Sequence, residues 1–300
     1  PRGMTTVRET RRPSMTNPPY GPSLPPGAGV PLAEGPRAEV PLVGDGVTRG
    51  IVRIGDTVRR PTRPMTATVQ AYLRHLHARG FTGAPLPLGT DEHGREMLSF
   101  VPGDVPMEPL PPQCAQEEVL RCLARLIRQL HDAAEGWEPP AGAIWGSLPG
   151  TPVPLPAAPE LVGHADYCPG NVVFRDGLPA ALIDFVLARP TTRLAEVGNA
   201  LRYWVPLRDP EDRSPAWRDL DAALRIGVFA HAYALDRARR EQLVPLLIER
   251  ARASLAWAET AAAADPVFHR FWTEDWCRTM PRAVAWLERE APAIERVLLP

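Results

Sequence analysis

The chain has 300 residues, 44% hydrophobic and 23% charged, with a formal net charge of −1. This is the balance of a globular protein that can bury a core, and it excludes the strongly basic field expected of a nucleic-acid binder. No apolar run approaches the roughly 18 residues needed to cross a bilayer, so neither nucleic acid nor membrane is an expected partner.

All 34 basic residues are arginine. Cys114, Cys122, Cys168 and Cys277 show neither metal-ligand spacing nor a disulfide framework, which points to a reducing, cytoplasmic setting. Residues 1–37 are rich in Pro, Gly and Arg and poor in large apolar side chains, so they read as a disordered tail.

From Val40 the pattern changes to short strands. Val40–Val43 reads as one strand, and Gly44-Asp-Gly-Val-Thr-Arg-Gly50 as a glycine-rich turn. Ile51–Ile54 and Thr57–Arg59 read as a hairpin about Gly55-Asp56. The Gly44–Gly50 turn has the composition to set backbone N–H groups over phosphates, although an ordinary meander carries the same pattern. Val69, Tyr72, Leu73 and Leu76 fall at helical spacing, which predicts a helix over 66–79 stopped by Gly80. Ala84–Leu88 and Glu96–Val101 read as two more strands around the turn Asp91–Gly94. The section 38–103 is therefore expected to be a small sheet with one helix.

The section 104–300 reads as mainly helical. Glu117–Ala134 is amphipathic, with Leu120, Leu123, Ile127 and Leu130 inward. A Pro/Gly-rich connection follows over 137–159. Further helices are expected over 194–204, 220–235, 239–261 and 266–297, with Pro245 and Pro281 in first turns or at kinks.

The chemistry is concentrated in Leu161–Phe185. His164, Asp166 and Asn171 lie in a polar turn, and Asp184 ends the apolar run after it. The spacing H-x-D-x-x-x-x-N, with Ile183-Asp184-Phe185 a hairpin later, is what phosphoryl transfer requires. One Asp accepts the proton of an attacking hydroxyl, while an Asn and a second Asp hold magnesium against nucleotide phosphates. A loop Asp and Asn alone are more often turn formers. With His164 at its offset and a carboxylate costly to bury at a strand end, the catalytic reading prevails.

These residues resemble the aminoglycoside phosphotransferase and choline kinase-like superfamily. The catalytic loop, Ile183-Asp184-Phe185, Arg193 and Glu196 opening the next helix all follow its pattern, and the resemblance runs from about Val40 onward. It implies an α+β, bilobal protein kinase-like fold, with a small antiparallel-sheet lobe over 38–103 and a larger helical lobe over 104–300. It implies Asp166 as catalytic base, His164 as support of the loop, and Asn171 and Asp184 as magnesium ligands. Ser99, Phe100 and Val101 would read the nucleotide base, and Gly44 and Gly46 would cover the phosphates of ATP (or GTP). Arg59, in Val58-Arg-Arg-Pro61, stands for the third-strand cation, with Arg60 expected on the opposite face. The acid that usually pairs with this cation from the following helix is missing, since no acid occurs from Thr57 to Thr90. No Ala-Pro-Glu signature follows Asp184, which argues for a small hydroxylated acceptor, an aminoglycoside-like antibiotic or a metabolite, rather than a protein. No obligate protein partner is evident.

Two readings stay open at this level: an active small-molecule kinase, or a catalytically weak regulatory protein that binds nucleotide or metabolite. Asp209, Glu211, Asp212, Asp219 and Asp221 have the charge to attract a polycationic acceptor, or form a solvated loop and cap. Glu196 reads as a helix N-terminal acid or as a brace of the catalytic loop.

Overall fold

Five short antiparallel strands form the first layer of the computed structural model, which describes residues 38–42, 50–107, 110–147, 156 and 158–299. Gly44, Gly46 and the 1–37 segment lie outside the described residues. The strands are β1 (Val40–Pro41), β2 (Val52–Ile54), β3 (Thr57–Arg60), β4 (Pro87–Thr90) and β5 (Glu96–Ser99), in the spatial order β1-β2-β3-β5-β4. Helix α1 (Thr66–Ala78) turns Val69, Tyr72, Leu73 and Leu76 inward. This is the amphipathic stripe that the 3.6-residue period demands.

Helix α2 (Glu117–Ala134) is the spine of the second layer. Val119, Leu120, Leu123, Ile127 and Leu130 are fully buried on it. It packs on α1, on α4 (Ala222–Tyr233), on strand β6 (Leu161–Gly163) and on strand β8 (Leu178–Leu182). Two short strand pairs sit on this spine. β6 pairs with β9 (Arg189–Thr191), and β7 (Val172–Arg175) pairs with β8. Helix α3 (Arg193–Trp204) is capped by the Thr192 hydroxyl, which accepts from Ala195 N–H.

The C-terminal helices are α5 (Arg237–Ala264), α6 (Pro266–Phe271) and α7 (Cys277–Leu298). The single helix expected over 266–297 is interrupted by a π-helical turn at Trp272–Trp276. That turn comes just before Pro281, whose ring clashes with the carbonyl four residues back, and a widened turn relieves such crowding. Pro245 lies inside α5, past its first turn. Among the described residues no helix is long and apolar enough to cross a membrane. The architecture is the bilobal protein kinase-like one, a small antiparallel sheet with one helix followed by a larger helical part.

Candidate active site

The loop after β6 places the polar residues of the motif. Ala165 holds a left-handed backbone at φ 63° and Asp184 another at φ 61°. Non-glycine residues enter this region at a cost of about 1–3 kcal/mol, and persist there only where surrounding contacts over-determine them. Those contacts are present in the loop. Asn171 Nδ2 donates to Asp166 Oδ2 at 2.9 Å and to the Asp166 carbonyl at 3.2 Å. His164 Nε2 lies 2.9 Å from the Ile183 carbonyl, and the Asp166 N–H donates to His164 Nδ1 at 3.3 Å. One tautomer satisfies both, with the proton on Nε2. His164 therefore ties the loop to the strand end that carries Asp184.

The hairpin β7–β8 brings Asn171 and Asp184 together. Val172 pairs with Leu182, and the ladder is extended by the Ile183 N–H donating to the Asn171 carbonyl at 2.9 Å. Because Asn171 spends its amide nitrogen on Asp166, its side-chain oxygen is the donor left for a cation. The Asp184 side chain is one-third exposed. A side-chain carbonyl and a carboxylate suit magnesium, which takes oxygen ligands and completes its shell with phosphates and water.

Helix α3 braces the loop from below. Glu196 is buried and its Oε2 accepts from Ala165 N–H at 3.0 Å and from the Tyr167 hydroxyl at 2.8 Å. One turn on, Asn199 Oδ1 accepts from Tyr167 N–H at 3.0 Å and its Nδ2 donates to the Ala165 carbonyl at 3.1 Å. Trp204 Nε1 donates to the Tyr167 carbonyl at 2.7 Å. Burial alone would raise the Glu196 carboxyl. Buried His131, the Ala165 N–H and the Tyr167 hydroxyl outweigh it and hold the group down at about 2. His131 itself is pushed down by burial. Gly163 leaves the space that this carboxylate occupies, since a Cβ there would collide with Glu196.

On the sheet side the structure reverses the expected facing of two arginines. Arg60, not Arg59, points at Asp184. Its Nη1 donates to Asp184 Oδ1 at 2.9 Å and its Nε to Glu96 Oε2 at 2.5 Å. Arg60 and Glu96 are register partners across β3 and β5, so their side chains share one face. Gln70 of α1 reaches the same carboxylate through Nε2 at 3.4 Å and donates to the Gly89 carbonyl at 2.9 Å. The helix thus presents a neutral amide, and the acid comes from a neighbouring strand. Arg59 lies on the other face, 3.5 Å from Asp91, which also takes Arg95 Nε at 2.8 Å. Sequence reasoning missed Arg60 and Glu96. Counting to the third residue from Val58 lands on Arg60, but the partnership with Glu96 depends on strand register.

Ser99 is held by Leu86, whose N–H donates to the Ser99 hydroxyl at 2.8 Å, and the Phe100 N–H donates to the Asp56 carbonyl at 2.8 Å. Val101 follows as half-buried chain between the two parts of the molecule. Of the acidic residues of 209–221, Asp209, Glu211, Asp212 and Asp221 are already engaged. Asp212 is buried, 2.6 Å from Arg278 and 2.7 Å from Arg282 of α7. Asp209 and Glu211 also pair with Arg282, and Asp221 caps α4 by accepting from Leu224 N–H at 2.9 Å. Asp209, Glu211 and Asp212 thus fasten this segment to α7.

Residues 134–230 match the family described as "Phosphotransferase enzyme family". A curated relative, the trifolitoxin immunity protein of Rhizobium leguminosarum bv. trifolii, is 32% identical over 267 residues, covering 87% of this chain and 98% of the relative. Among solved structures, a choline/ethanolamine kinase family protein from Mesorhizobium loti superposes with a TM-score of 0.54 at 16% identity, over 88% of this chain and 92% of that one. An aminoglycoside phosphotransferase from Alicyclobacillus acidocaldarius gives 0.50 at 15% identity, over 87% and 99%. These two likenesses support the fold. The 32% identical relative, together with the family match, places the chain in the phosphotransferase enzyme family.

Proposed function

We propose that the protein is a small-molecule kinase that moves the γ-phosphoryl group of ATP (or GTP) to a hydroxyl of an antibiotic or metabolite. The observation that carries this reading is the chain of bonds that links Asp166 to Asn171, Asn171 to the strand end bearing Asp184, and Asp184 to Arg60. Asp166 orients the acceptor hydroxyl and takes its proton as the new O–P bond forms and the bond to the departing nucleoside diphosphate breaks. Asn171 and Asp184 hold magnesium, which when bound neutralises phosphate charge. Arg60 supplies the fixed cation toward the phosphates, its planar fork suited to oxyanions. Glu96 and Gln70 hold Arg60 in place. Ser99–Val101 present main chain to the nucleotide base. The parts divide near residue 103, with the sheet side serving the nucleotide and the helical side the chemistry and the acceptor. The immunity named in the 32% identical relative agrees with an acceptor that is a toxin or antibiotic.

The reading of a catalytically weak binder rests on two grounds, the lack of an acid on the following helix to pair with the third-strand cation and the lack of any Lys. Glu96 supplies an acid partner to Arg60, which answers the first ground and favours the kinase reading. The experiment is acceptor-dependent formation of nucleoside diphosphate with magnesium and ATP or GTP across a panel of hydroxylated antibiotics and metabolites. Turnover abolished in Asp166→Asn agrees with the proposal. Turnover undiminished in that variant contradicts it.

A further inference from the structure

Arg60 is tethered through one nitrogen of its guanidinium and engaged through another with a group that has a second task. Its Nε donates to Glu96 Oε2 at 2.5 Å, and both side chains are buried as register partners on β3 and β5. Its Nη1 donates to Asp184 Oδ1 at 2.9 Å. Asp184 is also the proposed magnesium ligand, and among the described residues Arg60 is its one ion-pair partner. The protein therefore sets its own cation on the carboxylate that suits a metal.

Neither partner can back away as a whole. The Ile183 N–H donates to the Asn171 carbonyl, and the Ile183 carbonyl meets His164 Nε2. Phe185 is buried against the rings of His164 and Tyr72, at centroid distances of 4.4 Å and 6.2 Å. The main chain is thus held on both sides of Asp184. Glu96 is held in turn by Gln70 of α1. What can turn without breaking these bonds is the Nη1 end of Arg60 and the Asp184 carboxylate, whose side chain is one-third exposed.

A guanidinium on this carboxylate repels a divalent cation whichever oxygen the cation takes. A metal arriving alone must displace Arg60 and leave that end of it without a counter-charge. A nucleotide arriving alone must draw Arg60 away and leave a bare carboxylate facing phosphate. When both arrive, partners are exchanged. The metal takes Asp184, the phosphates take Arg60, and no charge is left unpaired. We propose that Arg60 is an internal counter-ion that keeps metal off Asp184 until nucleotide is present, so that the Arg60–Asp184 pair couples the binding of the two ligands. The coupling is reciprocal, each ligand raising the affinity for the other by the same factor. This deepens the kinase reading and rests on it for the identity of the nucleotide.

The test reads metal binding directly, without turnover. Manganese, which takes the same oxygen ligands as magnesium, is titrated into the full chain without nucleotide and followed by electron paramagnetic resonance. The prediction is that Arg60→Gln binds manganese about tenfold or more tightly than the wild type. Adding Asp184→Asn to that variant should remove the gain. Nucleotide binding at saturating magnesium, read by calorimetry with a non-hydrolysable ATP analogue, should fall about tenfold or more in Arg60→Gln. The opposite signs separate the coupling from damage to the fold, which would weaken both ligands. Arg60→Gln leaves the buried Glu96 without its cation. The double variant Arg60→Gln/Glu96→Gln removes both charges and carries the same prediction if the single variant fails to fold. Manganese bound no more tightly by the folded variant than by the wild type would overturn the inference, and so would a gain that survives Asp184→Asn. The kinase reading is judged separately. Metal binding unmasked in Arg60→Gln, with no nucleotide binding by the wild type, would sink that reading alone. Magnesium-dependent nucleotide binding, with a manganese affinity indifferent to Arg60, would sink this inference alone.

Discussion

The loop bearing Asp166 and the cation facing Asp184 are built in opposite ways. The loop is clamped by one helix: Glu196, Asn199 and Trp204 of α3 satisfy the main chain of Ala165 and Tyr167 from successive turns. The Arg60 clamp is assembled from three separate elements: Arg60 on β3, Glu96 on β5 and Gln70 on α1. The first is a main-chain scaffold that fixes a strained backbone. The second is a chain of charges whose far end is Asp184 itself. Substitutions in the scaffold should therefore cost stability and activity together, while substitutions in the clamp should act mainly on nucleotide affinity.

The largest expected effect falls on Asp166, the proposed base. Asp166→Asn should lower turnover by about 10²–10⁴-fold while the far-ultraviolet spectrum stays unchanged, because proton transfer is lost without a change of shape. Next comes the scaffold. Gly163→Ala would drive a Cβ into the buried Glu196 carboxylate. It should cost about 3–5 kcal/mol in denaturant titration, the range for unseating a buried charge, and turnover should fall with it. A wild-type stability for this variant would show that the α3 brace does not carry the loop.

The same brace has a pH signature. Glu196 is held at about 2 against an ordinary 4.5. A carboxylate whose folded value is depressed stabilises fully above its unfolded value, and that contribution disappears as pH falls through the folded one. The loss should therefore run from about pH 4.5 down to about 2. His131, pushed down by burial, adds an acid-side loss that begins below its ordinary value of 6.5. Glu196→Gln should remove the lower part of this acid limb, and an unchanged limb would contradict the assignment.

The clamp should respond differently. Glu96→Gln should weaken nucleotide binding by about tenfold, and Arg60→Met by about 10–100-fold, with Arg60→Lys recovering part of the loss. The acceptor KM should move less than the nucleotide KM. Smallest of all is Arg59→Gln. Arg59 faces Asp91 on the far side of the sheet, away from Asp184, so nucleotide affinity should change by less than about twofold.

The same contrast explains how much the sequence disclosed. Helix periodicities over 66–78 and 117–134 and the pairing about Gly55-Asp56 were legible because they are local patterns. The His164–Asp184 constellation was legible because its members are a single hairpin apart. Glu196 and Asn199 brace the loop from three residues apart on one helix, a spacing visible in the chain. The Arg60–Glu96 pair spans 36 residues and exists only through the register of β3 on β5. Residue spacing carries no trace of it, and strand alternation alone does not say which face meets the cleft. The acids of 209–221 left two readings open for a similar reason, because the arginines that pair with Asp209, Glu211 and Asp212 lie some 70 residues downstream on α7.

The most direct measurement is calorimetric titration of a non-hydrolysable ATP analogue, with and without magnesium, into the wild type, Asp166→Asn and Asp184→Asn. The account predicts magnesium-dependent binding in the wild type, retained in Asp166→Asn and lost or weakened by about tenfold or more in Asp184→Asn. Magnesium-dependent binding that is undiminished in Asp184→Asn, or no nucleotide binding by the wild type, would contradict it.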